Sequence, residues 1–147
     1  MTDLTGGCQC GAVRYRLSMQ PYNAHICHCR MCQKAFGNFF AALASVKLDR
    51  IAWTRGRPSI YRSSEAAERG FCAACGTPLT FHYLGTDRIA ISLGSLDDPT
   101  VAPPLKAFGV ESKLPFIHTL DGLPGERTDQ FASPEDLARM RPRATPP

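Results

Sequence analysis

The clearest pattern in the chain is a strict alternation of apolar and polar residues in residues 12–18. Val13, Tyr15 and Leu17 are apolar, and the residues that separate them are arginines. Successive side chains of a β-strand point to opposite faces, so this alternation is typical of a strand with one buried face. We therefore predict a half-buried strand here.

Shorter apolar runs follow along the chain, separated by Gly, Pro, Asp and Ser, which favour turns. They predict further strands at residues 39–46, 50–54, 59–62, 79–83 and 88–93. The proline-rich residues 96–116 are expected to form extended coil, with one strand near residues 107–111. The sequence therefore predicts a mainly β protein of short strands.

Helical signals occur in two places. Residues 30–36 can form a short helix that ends at Gly37. Near the C-terminus, Ser133 can cap a helix and Pro134 can occupy its first position, which predicts a helix over residues 134–140. The following residues 141–147 are expected to fray because they contain three prolines.

Length and composition fit one globular domain over residues 1–147, because 44% of the residues are hydrophobic. No apolar run is long enough to cross a bilayer, and the first residues do not resemble a signal peptide. We expect a cytoplasmic protein without membrane contact.

Five aromatic residues are assigned to the core by default. They are Trp53, Phe39, Phe40, Phe81 and Tyr83.

The formal charge of +4 arises from basic residues that are scattered along the chain. Without a run of Lys and Arg to contact a phosphate backbone, nucleic acid is not an expected partner. A mild positive field does favour a small acidic ligand over a basic one.

Seven cysteines are many for a cytoplasmic domain of this size. Disulfides rarely persist in that compartment, and the close spacing of the cysteines places several sulfurs within reach of one ion. This pattern favours metal ligation over a disulfide framework. The seven are Cys8, Cys10, Cys27, Cys29, Cys32, Cys72 and Cys75.

Two close pairs, Cys8 with Cys10 and Cys72 with Cys75, offer the four sulfurs of a closed tetrahedral zinc site. We call them the four-cysteine group. Glycine follows Cys10 and Cys75 directly, and its backbone freedom suits the turns of a zinc–sulfur loop. The predicted role of this group is structural.

The remaining Cys27, Cys29 and Cys32, the three-cysteine group, lie close enough in sequence for one ion but leave zinc one ligand short of four. An open position of this kind is typical of catalytic zinc, and these three are the candidate catalytic residues. The alternatives are buried or loosely held thiols, or a ligand set that a histidine completes. Spacing alone does not decide which cysteines share an ion.

The histidines carry less weight. His28 lies inside the three-cysteine group, but an alternating backbone would point it away from the flanking sulfurs, toward solvent or a position behind the ligands. His25, His82 and His118 have no spacing partner, and we expect them to be packed or surface residues.

These motifs resemble the signature of the glutathione-dependent formaldehyde-activating enzyme family. The family pattern Gly-x-Cys-x-Cys-Gly-Ala-Val corresponds to residues 6–13. Cys-His-Cys-x-x-Cys-x-Lys corresponds to residues 27–34, and Phe-Cys-x-x-Cys-Gly-Thr to residues 71–77. Residues 89–99 continue the resemblance, which covers about residues 6–124.

The resemblance implies an Mss4-like zinc-bound β fold of short antiparallel strands, of the centromere protein V-like kind. It implies two Zn²⁺ ions per chain, one structural on the four-cysteine group and one catalytic on the three-cysteine group. It also implies a carbon–sulfur lyase that adds glutathione to formaldehyde, giving S-hydroxymethylglutathione.

Two departures from the family pattern fall in the proline-rich stretch. Family members often have His-Ile where this chain has Ala107-Phe108, and Trp where it has Phe116. Both leave the cysteines intact, and they bear on substrate identity. Two other functions stay open at this point: a zinc-binding interaction module without enzymatic activity, and a redox switch of the three clustered cysteines.

Overall fold

The protein is seen in a computed structural model that describes residues 4–140. Ten short strands form two sheets in this part of the chain. The strands are β1 Leu4–Gly7, β2 Arg14–Leu17, β3 Tyr22–Cys27, β4 Ala41–Lys47, β5 Ile51–Arg55, β6 Ser59–Arg62, β7 Ala67–Phe71, β8 Pro78–Tyr83, β9 Arg88–Ser92 and β10 Lys106–Phe108.

Three short α-helices accompany the strands. They are α1 Arg30–Phe36, α2 Thr128–Phe131 and α3 Pro134–Arg139. Short 3₁₀ helices connect several elements, at Leu48–Arg50, Leu93–Ser95, Pro99–Val101, Val110–Ser112 and Ile117–Gly122. No helix among residues 4–140 is long and apolar enough to cross a membrane.

The smaller sheet has the strand order β1-β2-β5, and the larger has the order β10-β3-β4-β9-β8-β7-β6. Every strand pair is antiparallel except β10 with β3, which run parallel with Phe108 opposite Cys27. The predicted mainly β fold of short strands with a C-terminal helix is confirmed. The parallel pairing of β10 with β3 differs from the antiparallel strands that were expected.

The main core contains side chains from both sheets. Tyr15 and Leu17 of β2 pack in one cluster with Val46 of β4 and Ile91 of β9. Tyr15 is 1% exposed, and its hydroxyl lies 2.8 Å from the Ser95 hydroxyl, so the buried polar group has a partner. This confirms the buried face that the alternation in residues 12–18 predicted.

The predicted strands all appear. Their ends are shifted by at most two residues, except that the strand predicted near residues 107–111 ends three residues earlier, at Phe108. The helix at residues 30–36 is confirmed by α1, and Gly37 ends it in the left-handed region with φ of 56°. The C-terminal helix is confirmed by α3, which ends one residue earlier than predicted. The predicted fraying of residues 141–147 lies outside the described residues.

The sequence missed three strands for physical reasons. Two of the four residues in β1 are glycines, and β7 contains adjacent charged residues, Glu68 and Arg69. In β3, the backbone of Asn23 has a φ of 52° where the register with β4 shifts, which breaks the alternation of the side chains.

The default core assignment is wrong for two aromatic residues. Phe39 is 42% exposed and Tyr83 is 53% exposed. Phe39 instead packs edge to face against Phe116, with ring centroids 5.1 Å apart. Trp53 and Phe81 do pack against core clusters, although neither is fully buried.

Candidate metal centres and active site

Two tight turns bring the four-cysteine group together. In the first, the Cys8 amide donates to the Val13 carbonyl at 3.0 Å; in the second, the Cys72 amide donates to the Thr77 carbonyl at 3.0 Å. Gly76 completes the second turn with a φ of 79°, a conformation that glycine adopts without strain. The four sulfurs lie within 4.8 Å of one another.

The sulfur separations of this group suit a tetrahedral zinc ion. Cys10 Sγ lies 3.5 Å from Cys8 Sγ and 3.8 Å from Cys72 Sγ. A zinc–sulfur bond of about 2.3 Å gives a tetrahedral edge of about 3.8 Å. In addition, the Val13 amide donates to Cys8 Sγ at 3.2 Å, a contact that stabilises a thiolate. The donor set therefore fits zinc.

The thiols of this group ionise unequally. Burial opposes the ionisation of Cys75, but hydrogen bonds from Thr77 and neighbouring groups lower its pKa to about 6. The Ala12 amide favours the Cys10 thiolate, yet its neighbour Cys8 raises the pKa of Cys10 to about 12. Adjacent thiolates repel each other, and a bound dication would supply the charge that lets all four ionise.

The three-cysteine group is assembled at the junction of β3 and α1. Cys27 ends β3, Cys29 caps α1, and Cys32 lies one turn into that helix. The Cys32 amide donates to Cys29 Sγ at 3.4 Å, as in a helix cap. The three sulfurs lie within 4.8 Å of one another, and no other His, Cys, Asp or Glu among residues 4–140 joins them.

The pKa values in this group are also divided. Burial raises the pKa of Cys27 to about 12. Burial also raises the pKa of Cys32, although Arg69 acts in the opposite direction. For Cys29, burial is outweighed by hydrogen bonds from Cys32 and Cys27, so its pKa is lowered. The group is therefore not fully ionised without a cation, and three soft sulfur donors fit zinc.

Residues distant in sequence hold this junction in place. The His28 amide donates to the Phe108 carbonyl at 2.8 Å, which ties the cysteine loop to β10. Gln33 is buried, and its side-chain amide donates to the carbonyls of His28 at 2.6 Å and Ser112 at 3.0 Å. Gly109 lies so close that a Cβ there would be 2.7 Å from the Cys29 nitrogen.

The histidine expectations are met in part. His28 is not part of the sulfur group, as expected. The expectation that it faces solvent is wrong, because it is 1% exposed and packs edge to face against Phe40. His25 is partly buried in β3 and contacts Phe108 with ring centroids 4.9 Å apart. His82 contacts Glu68 at 3.4 Å, and His118 is exposed.

All three residues of the three-cysteine group line a cavity of about 410 Å³. Its walls come from the central strands of the larger sheet and are mainly apolar, as is usual for a small-molecule site. Wall residues include Leu43, Phe81, Ala90 and Phe108. The lining of this cavity does not include the four-cysteine group.

A second cavity of about 640 Å³ adjoins the first. Met31 and Arg69 line both cavities, and Arg30 and Lys34 line the larger one. Among the described residues 4–140, no acidic side chain lines either cavity. The combined space is therefore suited to an anionic ligand.

Arg69 is the functional candidate that the sequence did not reveal. It is 9% exposed, donates from Nη2 to Cys32 Sγ at 3.5 Å and from Nε to Ser63 Oγ at 3.2 Å. Its guanidinium carbon lies 4.8 Å from the centre of the Phe81 ring. Arg69 lies three residues before Cys72 in the sequence. This position alone does not indicate a role at the three-cysteine group, because only the fold places Arg69 of β7 beside Cys32 of α1.

Comparison with known proteins gives a family match over most of the chain. The sequence profile described as glutathione-dependent formaldehyde-activating enzyme matches residues 3–111. The match contains all seven cysteines and ends before Phe116. The expected range of the resemblance, about residues 6–124, extends beyond it.

Two curated relatives are similar to this chain. One, from Schizosaccharomyces pombe, is named "Uncharacterized lyase" and is 30% identical over 83 residues, 56% of this chain and 60% of the relative. The other, from Halomonas elongata, is named "Putative glutathione-dependent formaldehyde-activating enzyme". It is 36% identical over 84 residues, 52% of this chain and 54% of the relative. The chain thus spans somewhat more than half the length of these relatives.

A solved crystal structure of a Rhodobacter sphaeroides protein has a similar fold. The TM-score is 0.57 at 22% sequence identity, and the similarity covers 70% of this chain and 98% of the other. At this level of identity, the comparison supports the fold alone.

Proposed function

This chain belongs to the glutathione-dependent formaldehyde-activating enzyme family, and from that membership we propose that it is a zinc-dependent carbon–sulfur lyase. The proposed reaction adds a thiol, glutathione, to a small aldehyde, formaldehyde, beside the three-cysteine group. The proposed site of action is the cytoplasm, where thiols stay reduced.

The observation that carries this proposal is that all three residues of the three-cysteine group line a cavity of about 410 Å³. Cys27, Cys29 and Cys32 would hold one zinc ion, and the four-cysteine group would hold the other. Three protein ligands leave one of the usual four positions for a ligand from the cavity. The four-cysteine group has no such position, so we assign it a role in folding.

A bound zinc ion would lower the pKa of an incoming thiol, which makes the reactive thiolate available near neutral pH. The chain supplies the surroundings for this chemistry. Phe81 and Phe108 give the cavity apolar walls, which strengthen electrostatic interactions within it. The thiolate sulfur attacks the aldehyde carbon, a carbon–sulfur bond forms, and the oxygen takes up a proton from water.

The charges around the two cavities support an acidic thiol as substrate. Arg30, Lys34 and Arg69 line the larger cavity, and Arg88 lines the smaller one. Glutathione carries two carboxylates and one ammonium group, so these cations favour it over a neutral or basic thiol.

The proposal is tested by initial rates of S-hydroxymethylglutathione formation, since this adduct also forms without an enzyme. Native protein should exceed the rate without protein, and Cys29→Ser protein with an intact structural zinc should not. Equal rates for all three, across several thiols and aldehydes, would favour the zinc-binding interaction module instead.

A further inference from the structure

Arg69 is a buried cation that no carboxylate neutralises among residues 4–140. Its hydrogen-bond partners there are the Ser63 hydroxyl and the Cys32 sulfur. Buried arginines are usually paired with acidic groups because an isolated buried charge is costly. The aromatic face of Phe81 compensates only part of that cost. In the proposed zinc-bound state the Cys32 thiolate would supply part of the missing negative charge, and an anion in the adjoining cavity would supply the rest.

The hydrogen-bonding capacity of Arg69 is also incompletely used. The Nη1 nitrogen is buried and has no hydrogen-bond partner in the described residues. Leaving such a donor unpaired is unfavourable, and native proteins seldom do so without a functional reason. Since Arg69 lines both cavities, a small adjustment of the guanidinium would present this donor to a bound ligand.

We propose that Arg69 is a catalytic residue that binds the aldehyde oxygen as it acquires negative charge. This inference rests on the proposed function. The contact of Nη2 with Cys32 Sγ fixes the guanidinium beside the three-cysteine group, where an incoming sulfur would react. The planar guanidinium can keep that contact through one nitrogen and donate to the oxygen through the other.

The proposed step balances as follows. The thiolate electron pair forms the new carbon–sulfur bond, and the π electrons of the carbonyl move to its oxygen. Arg69 stabilises the resulting alkoxide by donating hydrogen bonds to it. A proton from water then converts the alkoxide to the hydroxyl group. In the reverse direction, Arg69 stabilises the same alkoxide before formaldehyde leaves.

The kinetic test compares Arg69→Gln and Arg69→Lys with native protein, each expressed per bound zinc. Loss of one oxyanion donor usually lowers kcat by about 10²- to 10³-fold, and we expect this for Arg69→Gln. Arg69→Lys should be intermediate, because a single ammonium group cannot keep both contacts. Arg57→Gln is the control, since Arg57 is exposed and lines neither cavity. It should retain native activity.

A binding measurement separates this role from a merely structural one. In cobalt-substituted protein, the visible spectrum reports thiols that reach the metal. Thioglycolate, whose carboxylate lies near its sulfur, should bind native protein at least about tenfold more tightly than the neutral 2-mercaptoethanol. Arg69→Gln should show a weaker preference, because Arg30, Lys34 and Arg88 still attract the carboxylate, and Arg57→Gln should keep the native one. Added guanidinium ion should also partly restore the activity of Arg69→Ala.

The outcomes are distinct from those of the proposed function. No acceleration by native protein would refute the proposed function itself. If native protein is active, a native rate per bound zinc in Arg69→Gln would overturn the role of Arg69. An unchanged preference for thioglycolate in that variant would overturn it as well.

Discussion

Gly109 is predicted to be indispensable to the three-cysteine group, although it contributes no side chain. Its backbone φ is 61°, in the left-handed region. A Cβ at this position would lie 2.7 Å from the nitrogen of Cys29 and 3.0 Å from its Cβ. Gly109→Ala therefore introduces both backbone strain and a clash with the residue that caps α1.

The two contributions can be separated with a matched control. Gly37 also has a left-handed backbone, with φ of 56°, but a Cβ there would meet no atom within 4 Å. Gly37→Ala should cost only the conformational strain, about 1–2 kcal/mol. Gly109→Ala adds the clash with a backbone that is held by hydrogen bonds, about 1–3 kcal/mol more.

The assay is denaturant unfolding of both variants, together with zinc analysis of the folded proteins. Gly109→Ala should be less stable than Gly37→Ala by the clash contribution and should retain close to one zinc ion per chain, on the four-cysteine group. Gly37→Ala should retain close to two. Equal stability and equal zinc content of the two variants would refute the argument that Gly109 maintains the three-cysteine group.

Three further predictions concern the metal sites and pH. Cys72→Ser should unfold the protein, because a structural zinc site contributes on the order of 10 kcal/mol, comparable to the stability of a whole domain; circular dichroism would detect this, and a folded variant would contradict it. Cys29→Ser should keep its fold and lose one zinc ion, as measured by metal analysis; thermal destabilisation equal to that of Cys72→Ser would contradict the division of roles. Arg14 lowers the pKa of Asp97 through paired hydrogen bonds. The interaction therefore stabilises the fold at pH values above the pKa of this carboxyl group in the unfolded chain, and the stabilisation is lost as the pH falls. Asp97→Asn should therefore lower the free energy of unfolding at pH 7, as measured by denaturant unfolding, and an unchanged value would contradict the assignment.

Much of the fold could be predicted from the sequence, because local patterns determine it. The alternation in residues 12–18 and the glycine after α1 needed no knowledge of distant residues. Strand β3 could not be found this way, since the left-handed Asn23 interrupts its period, and the pairing of β3 with β10 depends on residues about 80 positions apart.

The candidate site divides in the same way. The close spacing of the cysteines predicted which of them are neighbours, and the structure brings Cys8, Cys10, Cys72 and Cys75 into one group and Cys27, Cys29 and Cys32 into another. Arg69, Gln33 and Gly109 could not be predicted, since each acts on the three-cysteine group from another segment or through backbone contacts. His28 was misjudged for the same reason: the chain that covers it comes from β10 and the loop before β4.

The central claim is that the three-cysteine group holds a metal ion with a position open to a thiol, and that the four-cysteine group does not. Cadmium-113 NMR of the cadmium-substituted protein tests both parts at once, because cadmium shares the preference of zinc for thiolate ligands. We predict two resonances, of which only one shifts on addition of glutathione, and that resonance should be absent from Cys29→Ser protein. A single resonance, or two resonances that glutathione leaves unchanged, would contradict the account.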